Sequence, residues 1–158
     1  MEQELYYMTW DEFEVATKNI LNEIQKRKLN LDTVVPILRG GAPLGCALTN
    51  NMDGVDTAYI HVRRSTSNDV NAVLGTPILK GITNSEKITG KHILVADDML
   101  DKGVTMKFAL EELKKLNPAS IHVAVLYNFT KLENEDMFII GAHMEKKKWI
   151  VFPWEKEL

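Results

Sequence analysis

The stretch His92-Ile93-Leu94-Val95-Ala96-Asp97-Asp98-Met99-Leu100-Asp101-Lys102-Gly103-Val104-Thr105 constrains the fold more than any other part of the chain. Its apolar run 93–96 is short, uninterrupted and ends in charge. That is the pattern of a parallel strand covered on both faces, with its polar tip at the carboxyl end. Ligands of open α/β sheets gather at that end. Past Asp101 the chain turns through Gly103 and enters a segment in which Met106, Ala109, Leu110, Leu113 and Leu116 recur at three- and four-residue spacing. This is an amphipathic helix, closed by Asn117-Pro118.

A helix that begins near Thr105 points its first, unpaired amides back into the turn, where a phosphate accepts several hydrogen bonds at the positive end of the helix dipole. Such a turn cradles phosphate without any lysine. Asp97 and Asp98 need a different explanation, because acids repel a phosphate ligand unless a metal or hydroxyl groups lie between. Two adjacent acids at a strand tip suit a ribose diol, and Mg²⁺ would be carried largely by the ligand's own phosphate oxygens and water. Asp101, beyond this pair, would lie between sugar and phosphate, within reach of a leaving or attacking base. Taken alone, the same residues also fit the metal-binding strand of a nucleotide hydrolase, or a strand end with solvated acids. The glycine-rich phosphate loop of the hydrolases is missing from the sequence.

A second apolar strand, 33–38, leads into Arg39-Gly40-Gly41-Ala42-Pro43 and a short apolar helix over 43–50 that includes Cys46, Ala47 and Leu48. Glycines let backbone amides approach an anion closely, Pro43 suits a first helical turn, and Arg39 supplies a forked cation. This is again an anion cradle. By itself it also reads as an ordinary strand-to-helix turn with a surface arginine.

The apolar strand, paired acids, further acid and Gly-x-Thr turn resemble the signature of the type I phosphoribosyltransferases. Lys102 stands where that family usually has Thr or Ser, and Val104 fills the free position before Thr105. The loop at Arg39 and Gly40 is similar to the pyrophosphate loop of the purine-salvage members. Tyr7-Met8-Thr9-Trp10-Asp11 and Trp149-Ile150-Val151-Phe152-Pro153-Trp154-Glu155 resemble the opening and closing segments of the xanthine-guanine enzymes. The resemblance implies one domain over 1–158, with a mobile loop at about 63–90 and a base-covering hood at about 137–158. It implies that Arg39, Gly40, Asp97, Asp98, Asp101, Lys102, Gly103, Val104 and Thr105 bind phosphoribosyl pyrophosphate. In the hood, Ile150 would pack on the purine, the backbone of Trp149 would read the ring edge, and Glu155 would contact the two-position substituent. Members that use 6-oxopurines commonly place a lysine near the end of the strand at 120–126. Here the aligned residue is Asn128, whose amide can donate to an oxo group or, turned over, accept from an amino group. Lys131 would reach back only if its loop curls. The resemblance also implies a homodimer or homotetramer.

At 158 residues with 45% hydrophobic content, the chain is one globular domain large enough for its own core. A formal charge of -3 argues against nonspecific nucleic-acid binding, which shows a basic footprint. The single cysteine, Cys46, allows no internal disulfide and reads as a small buried residue in a helix. With no long apolar run or signal segment, a cytoplasmic protein without a membrane partner is expected. Thr9 and Glu12 form a capping-box pattern, and Phe13, Ala16, Ile20 and Ile24 mark the buried stripe of the helix that follows. Strands at 33–38, 56–62, 91–96, 120–126 and 137–140, alternating with helices at 43–50 and 105–116, predict an α/β fold. Its sheet is largely parallel, with helices on both faces. The long polar interval 63–90 breaks that rhythm and is expected to be a lid or a partly disordered excursion, with Arg63, Arg64 and Lys80 as pyrophosphate contacts. Lys146-Lys147-Lys148 reads as a solvated turn, and the four histidines lack metal-ligand spacing.

The expected chemistry is Mg²⁺-dependent transfer of ribose 5-phosphate from phosphoribosyl pyrophosphate to a purine, with Asp101 managing the proton on the base. Guanine, xanthine and hypoxanthine are the expected bases, and a 6-amino purine stays open through Asn128. Two alternatives share these residues: a regulator that binds the same ligand without catalysis, and a phosphohydrolase.

Overall fold

The computed structural model describes residues 4–64 and 75–155. The chain opens with a short strand β1 (Leu5–Tyr7) and helix α1 (Trp10–Lys26). It continues through β2 (Thr33–Leu38), α2 (Ala42–Asn50), β3 (Asp56–Thr57), β4 (Tyr59–Arg64) and β5 (Pro77–Thr83). Next come β6 (His92–Leu100), α3 (Val104–Lys114), β7 (Ser120–Asn128), β8 (Phe138–Ile140) and β9 (Trp149–Val151). The main sheet runs in the order β5-β4-β2-β6-β7-β8, with β3 beside the start of β2. Every pairing in it is parallel except β4 with β5. The α/β fold with a largely parallel sheet is the one the alternating pattern predicts.

Strand parity explains why both faces are covered. Val34, Leu94, Ala96, Ala124 and Leu126 point into one core with Ala16, Ile20 and Ile24 of α1 and Leu44 and Leu48 of α2. Their neighbours Val35, Ile93, Val95, Val123 and Val125 point into the other, with Met106, Ala109, Leu110 and Leu113 of α3. Burial on both sides is why these strands read as unbroken apolar runs rather than alternating ones.

Several boundaries differ from expectation, each for a local reason. The strand expected at 56–62 splits at buried Ala58, whose amide bonds Val34, so that β3 pairs the start of β2 and β4 its end. The strand expected to stop at 96 runs on to Leu100, and its partner runs on to Asn128, because Met99 pairs Tyr127 and Leu100 pairs Asn128. The interval expected as an excursion contains β5 and a 3₁₀ turn, Ser85–Lys87, with Ile88 fully buried beside it. Residues 65–74 of that interval lie outside the described residues. Cys46 is exposed rather than buried, since α2 turns Leu44, Gly45 and Leu48 inward. β8 is an edge strand of the main sheet, so the segment standing apart from it begins after Ile140, later than the expected 137. Among the described residues no helix is long and apolar enough to cross a membrane.

The segment that stands apart is a two-stranded parallel ribbon of β1 and β9, with Leu5 opposite Trp149 and Tyr7 opposite Val151. Two devices fasten it to the body. Trp154 stacks on Phe152 at 4.9 Å and meets the edge of Phe13 on α1 at 5.5 Å. Glu12 closes the capping box by accepting the Thr9 amide at 2.7 Å and also accepts the Tyr6 hydroxyl of β1. That hydroxyl, with the Thr9 bonds, holds the Glu12 carboxyl below the usual carboxylate range. A carboxylate depressed by folding stabilises the native state above its unfolded pKa and loses that contribution as pH falls through its folded value. Glu12→Ala is therefore expected to cost about 1–2 kcal/mol in urea melts near pH 7. The gap to the parent protein should close in acid; a gap that stays constant would show that the carboxylate's charge is not what matters.

Candidate active site

β2 and β6 are parallel neighbours, with Pro36 in register with Ala96, so the loops that follow them leave the sheet at the same end. The approach is close. A Cβ added at Gly40 would lie 2.4 Å from Asp98 Oδ2, and one at Gly41 would lie 2.3 Å from the Ala96 carbonyl oxygen. No larger residue fits between the loop and the acids. Arg39 is exposed above this contact, and the Leu38–Arg39 peptide is cis.

Asp97 and Asp98 lie within β6 rather than at its tip. The ladder with β2 ends at Ala96, and beyond it the strand satisfies its own amides: Asp97 accepts from the Asp98 N–H at 2.9 Å, and Asp98 from the Met99 N–H at 2.7 Å. Asp97 is only 8% exposed. Burial pushes its carboxyl well above the usual carboxylate range, and the Asp98 charge beside it adds to the rise. Burial likewise raises Asp98 to about 6, against the Met99 N–H that favours its charged form; the Glu155 carboxylate adds to the rise. The pair thus concentrates negative charge that hydroxyl donors or a cation would relieve.

An open cleft runs along the residues that follow, lined by Arg64 and the run 97–106. Gly103 takes φ 72° just ahead of α3, a left-handed conformation that glycine adopts without strain. No side chain caps the first turn of α3, so the Val104 and Thr105 amides open onto the cleft end of the helix. Lys102 is exposed and Thr105 partly buried. Arg64, from the end of β4, joins the cleft wall, whereas Arg63 and Lys80 point to solvent. Among the described residues no group of three or more His, Cys, Asp or Glu could hold a metal. Asp97 and Asp98 offer hard oxygen donors suited to Mg²⁺, but too few for an all-protein cage.

The residues around β9 reach the site acids at two points, Lys147 at Asp101 and Glu155 near Asp98. Trp149 is 56% exposed and its amide is donated to Glu4, while Ile150 is buried with Met8 and Phe152. Glu155 accepts the Phe152 N–H at 3.0 Å, and its charge is felt at Asp98. Asn128 is tied locally: its Nδ2 donates to the Thr130 carbonyl at 2.9 Å and its Oδ1 accepts from the Thr130 N–H at 3.1 Å. That ring fixes which way the amide faces, so the choice of orientation left open by the sequence is closed. Lys131 is exposed. The lysine run is exposed at Lys146 and Lys147, as expected, but two of its members carry partners. Lys147 pairs with Asp101, and Lys148 with Glu4 at 2.6 Å. Nothing in the local sequence signals either contact, since both partners are far away along the chain.

A family model described as the phosphoribosyl transferase domain matches residues 7–158. The chain belongs to the phosphoribosyl transferase domain family. Within it, the chain is a type I member similar to the xanthine-guanine phosphoribosyltransferase of Idiomarina loihiensis, 28% identical over 97% of this chain and 88% of that protein. It is also similar to a solved purine phosphoribosyltransferase from Pyrococcus horikoshii, with a TM-score of 0.76, 25% identity, and coverage of 98% of this chain and 96% of that one. The chain is also similar to the transcriptional regulator GfcR of Methanosarcina mazei, 26% identical over 68% of this chain and 50% of that protein.

The raised acids give a stability prediction. A carboxyl whose folded pKa lies above its unfolded value near 3.9 favours folding below that value and loses the benefit as pH rises through about 6. Asp98→Asn keeps an acceptor for the Met99 amide and removes the charge. It should raise stability at pH 7.5 by roughly 1–3 kcal/mol, and by almost nothing at pH 4. Urea melts at both values check this; an unchanged or lower stability at pH 7.5 would refute it.

Proposed function

We propose that the protein transfers ribose 5-phosphate from phosphoribosyl pyrophosphate to a purine, with guanine, xanthine or hypoxanthine as the base, and releases pyrophosphate. The observation that carries this reading is the packing of the Arg39-Gly40-Gly41 loop directly against Asp98, at the same end of the sheet as Asp101 and the helix turn after it. One doubly phosphorylated pentose spans these groups. The amides of Gly103, Val104 and Thr105, with Lys102 at the rim, bind its 5′-phosphate. Asp97 and Asp98 accept hydrogen bonds from the ribose diol, which relieves the charge that burial makes costly. Arg39 and the Gly40 amide hold the pyrophosphate, and Arg64 lies where it can reach the same ligand. Asp97 and Asp98 would help hold Mg²⁺, which when bound would supply positive charge toward the pyrophosphate.

As the bond from the anomeric carbon to pyrophosphate breaks and the bond to the purine nitrogen forms, the ribosyl centre becomes positive. The base loses its proton to Asp101. Trp149, Ile150 and Glu155 lie on the side of the base, and the covering ribbon excludes water that would otherwise capture the ribosyl centre. The chain acts as a single domain over 1–158, in a homodimer or homotetramer. The exposed Leu5, Tyr7 and Trp149 on the ribbon favour such assembly.

A second reading, a regulator that binds the same ligand without catalysis, is favoured by the GfcR similarity and by the departures at Lys102 and Asn128. Incubation with phosphoribosyl pyrophosphate, Mg²⁺ and each common purine separates the two. Nucleotide plus pyrophosphate is expected, whereas ligand binding without product from any base would establish the regulator. Asp101→Asn should retain phosphoribosyl pyrophosphate binding within a few-fold and lower kcat by roughly 10²- to 10⁴-fold. Undiminished turnover would remove Asp101 from proton transfer.

A further inference from the structure

Lys147 brings an ammonium group onto the carboxylate that the proposed reaction assigns to the proton of the base. The pair is partly open, with side chains 43% and 37% exposed, so neither charge is sealed from an incoming ligand. Lys147 lies just before β9 and Glu155 just after it, and the two reach the floor at different acids: Lys147 at Asp101, Glu155 near Asp98. β9 is therefore preceded by a cation and followed by an anion, each directed at a different site acid. At the end of β7, where a base-facing donor would otherwise come from the sheet, the Asn128 amide is turned onto Thr130.

The chemistry of a purine fits that polarity in one way. When N9 attacks the sugar, the ring proton resides on N7, and the six-position substituent is its immediate neighbour on the same edge. Guanine presents an oxygen acceptor there and adenine an amino donor. A carboxylate beside an ammonium offers an acceptor for the N7 proton and a donor for a six-position oxygen. An ammonium has no lone pair, so it accepts nothing from a six-position amino group.

We infer that Lys147 is a specificity-determining residue, which recognises the six-position oxygen of the purine from the loop before β9 and rejects six-amino purines. This rests on the transferase reading proposed above. Before the base arrives, Lys147 rests on Asp101. When a 6-oxopurine enters, Asp101 turns to the ring proton and Lys147 to the oxygen beside it. Both charges keep partners throughout, which a six-amino purine would not allow.

The test is steady-state kinetics with phosphoribosyl pyrophosphate and Mg²⁺ on hypoxanthine, guanine and adenine, using the parent protein, Lys147→Met, Lys147→Arg and Lys146→Met. Lys147→Met is expected to lower kcat/KM for hypoxanthine and guanine by roughly 10- to 100-fold, mainly through KM, and to leave the weak adenine rate unchanged or raised. Lys147→Arg should recover most of the loss, and Lys146→Met should match the parent. Thermal melting within a few degrees of the parent separates a lost contact from a lost fold. Parent-like kinetics of Lys147→Met on 6-oxopurines, or a parent protein that prefers adenine, overturns the inference and leaves the transferase reading standing. A parent protein that forms no nucleotide from any base overturns both.

Discussion

Everything at the site depends on two parallel strands, β2 and β6, being immediate neighbours, with the loop after β2 packed directly on β6 at Ala96 and Asp98. Gly40 is what permits it, because a side chain there would occupy the position of the Asp98 carboxylate. That contact fixes the distance between the Arg39-Gly40-Gly41 turn and a pair of acids, and the helix turn after Asp101 then falls at the same edge without further design. The arrangement has an electrostatic cost. Two buried carboxyls are raised out of their ordinary range, Asp97 by burial and the Asp98 charge, Asp98 by burial and the Glu155 charge. A structure that served stability alone would neutralise or expose them.

Much of this was legible in the sequence because it is local. The runs 33–38 and 93–96 are apolar on both faces, Gly103 precedes an amphipathic stripe, and Thr9 with Glu12 announces a helix start. Each of these is a short-range pattern with one dominant physical solution. The extension of β6 to Leu100 was not legible, because charged residues inside a strand are ordinarily excluded. Here Asp97 and Asp98 are tolerated by accepting from the next residue's amide in each case. The antiparallel β5 was hidden because Leu79 and Ile82, the residues that pack on the core, fall out of step across an irregularity while Ile78 is exposed, which leaves no alternating apolar signal.

The tertiary contacts of the site were opaque for a different reason. Lys147 and Asp101 are 46 residues apart, and nothing about three consecutive lysines distinguishes a solvated turn from a loop folded over a cleft. Asn128 carried an ambiguity that only its surroundings settle: the amide has two orientations, and the Thr130 backbone selects one. Sequence patterns report what a segment must bury. They report poorly which charged groups meet across a gap once the burial is done.

The relatives sharpen which part of the molecule decides between catalysis and regulation. A transferase and a ligand-sensing regulator make the same demands on the floor: amides for a phosphate, acids for a diol, a cation for pyrophosphate. Arg39, Asp97, Asp98 and the turn into α3 therefore do not distinguish them. Only groups that act on the base do, since a regulator that reads the sugar phosphate has no need to hold a purine at a reacting distance. On the reading proposed above those groups are Asp101, directly after β6, and Lys147 and Glu155, on either side of β9. β9 is a ribbon strand pinned to α1 by Trp154, which stacks on Phe152 and meets the edge of Phe13. Under that reading, a covering strand so held, with opposite charges flanking it, suits a flat polar guest. For a regulator, such a ribbon would be an ordering cost with no matching gain in ligand affinity.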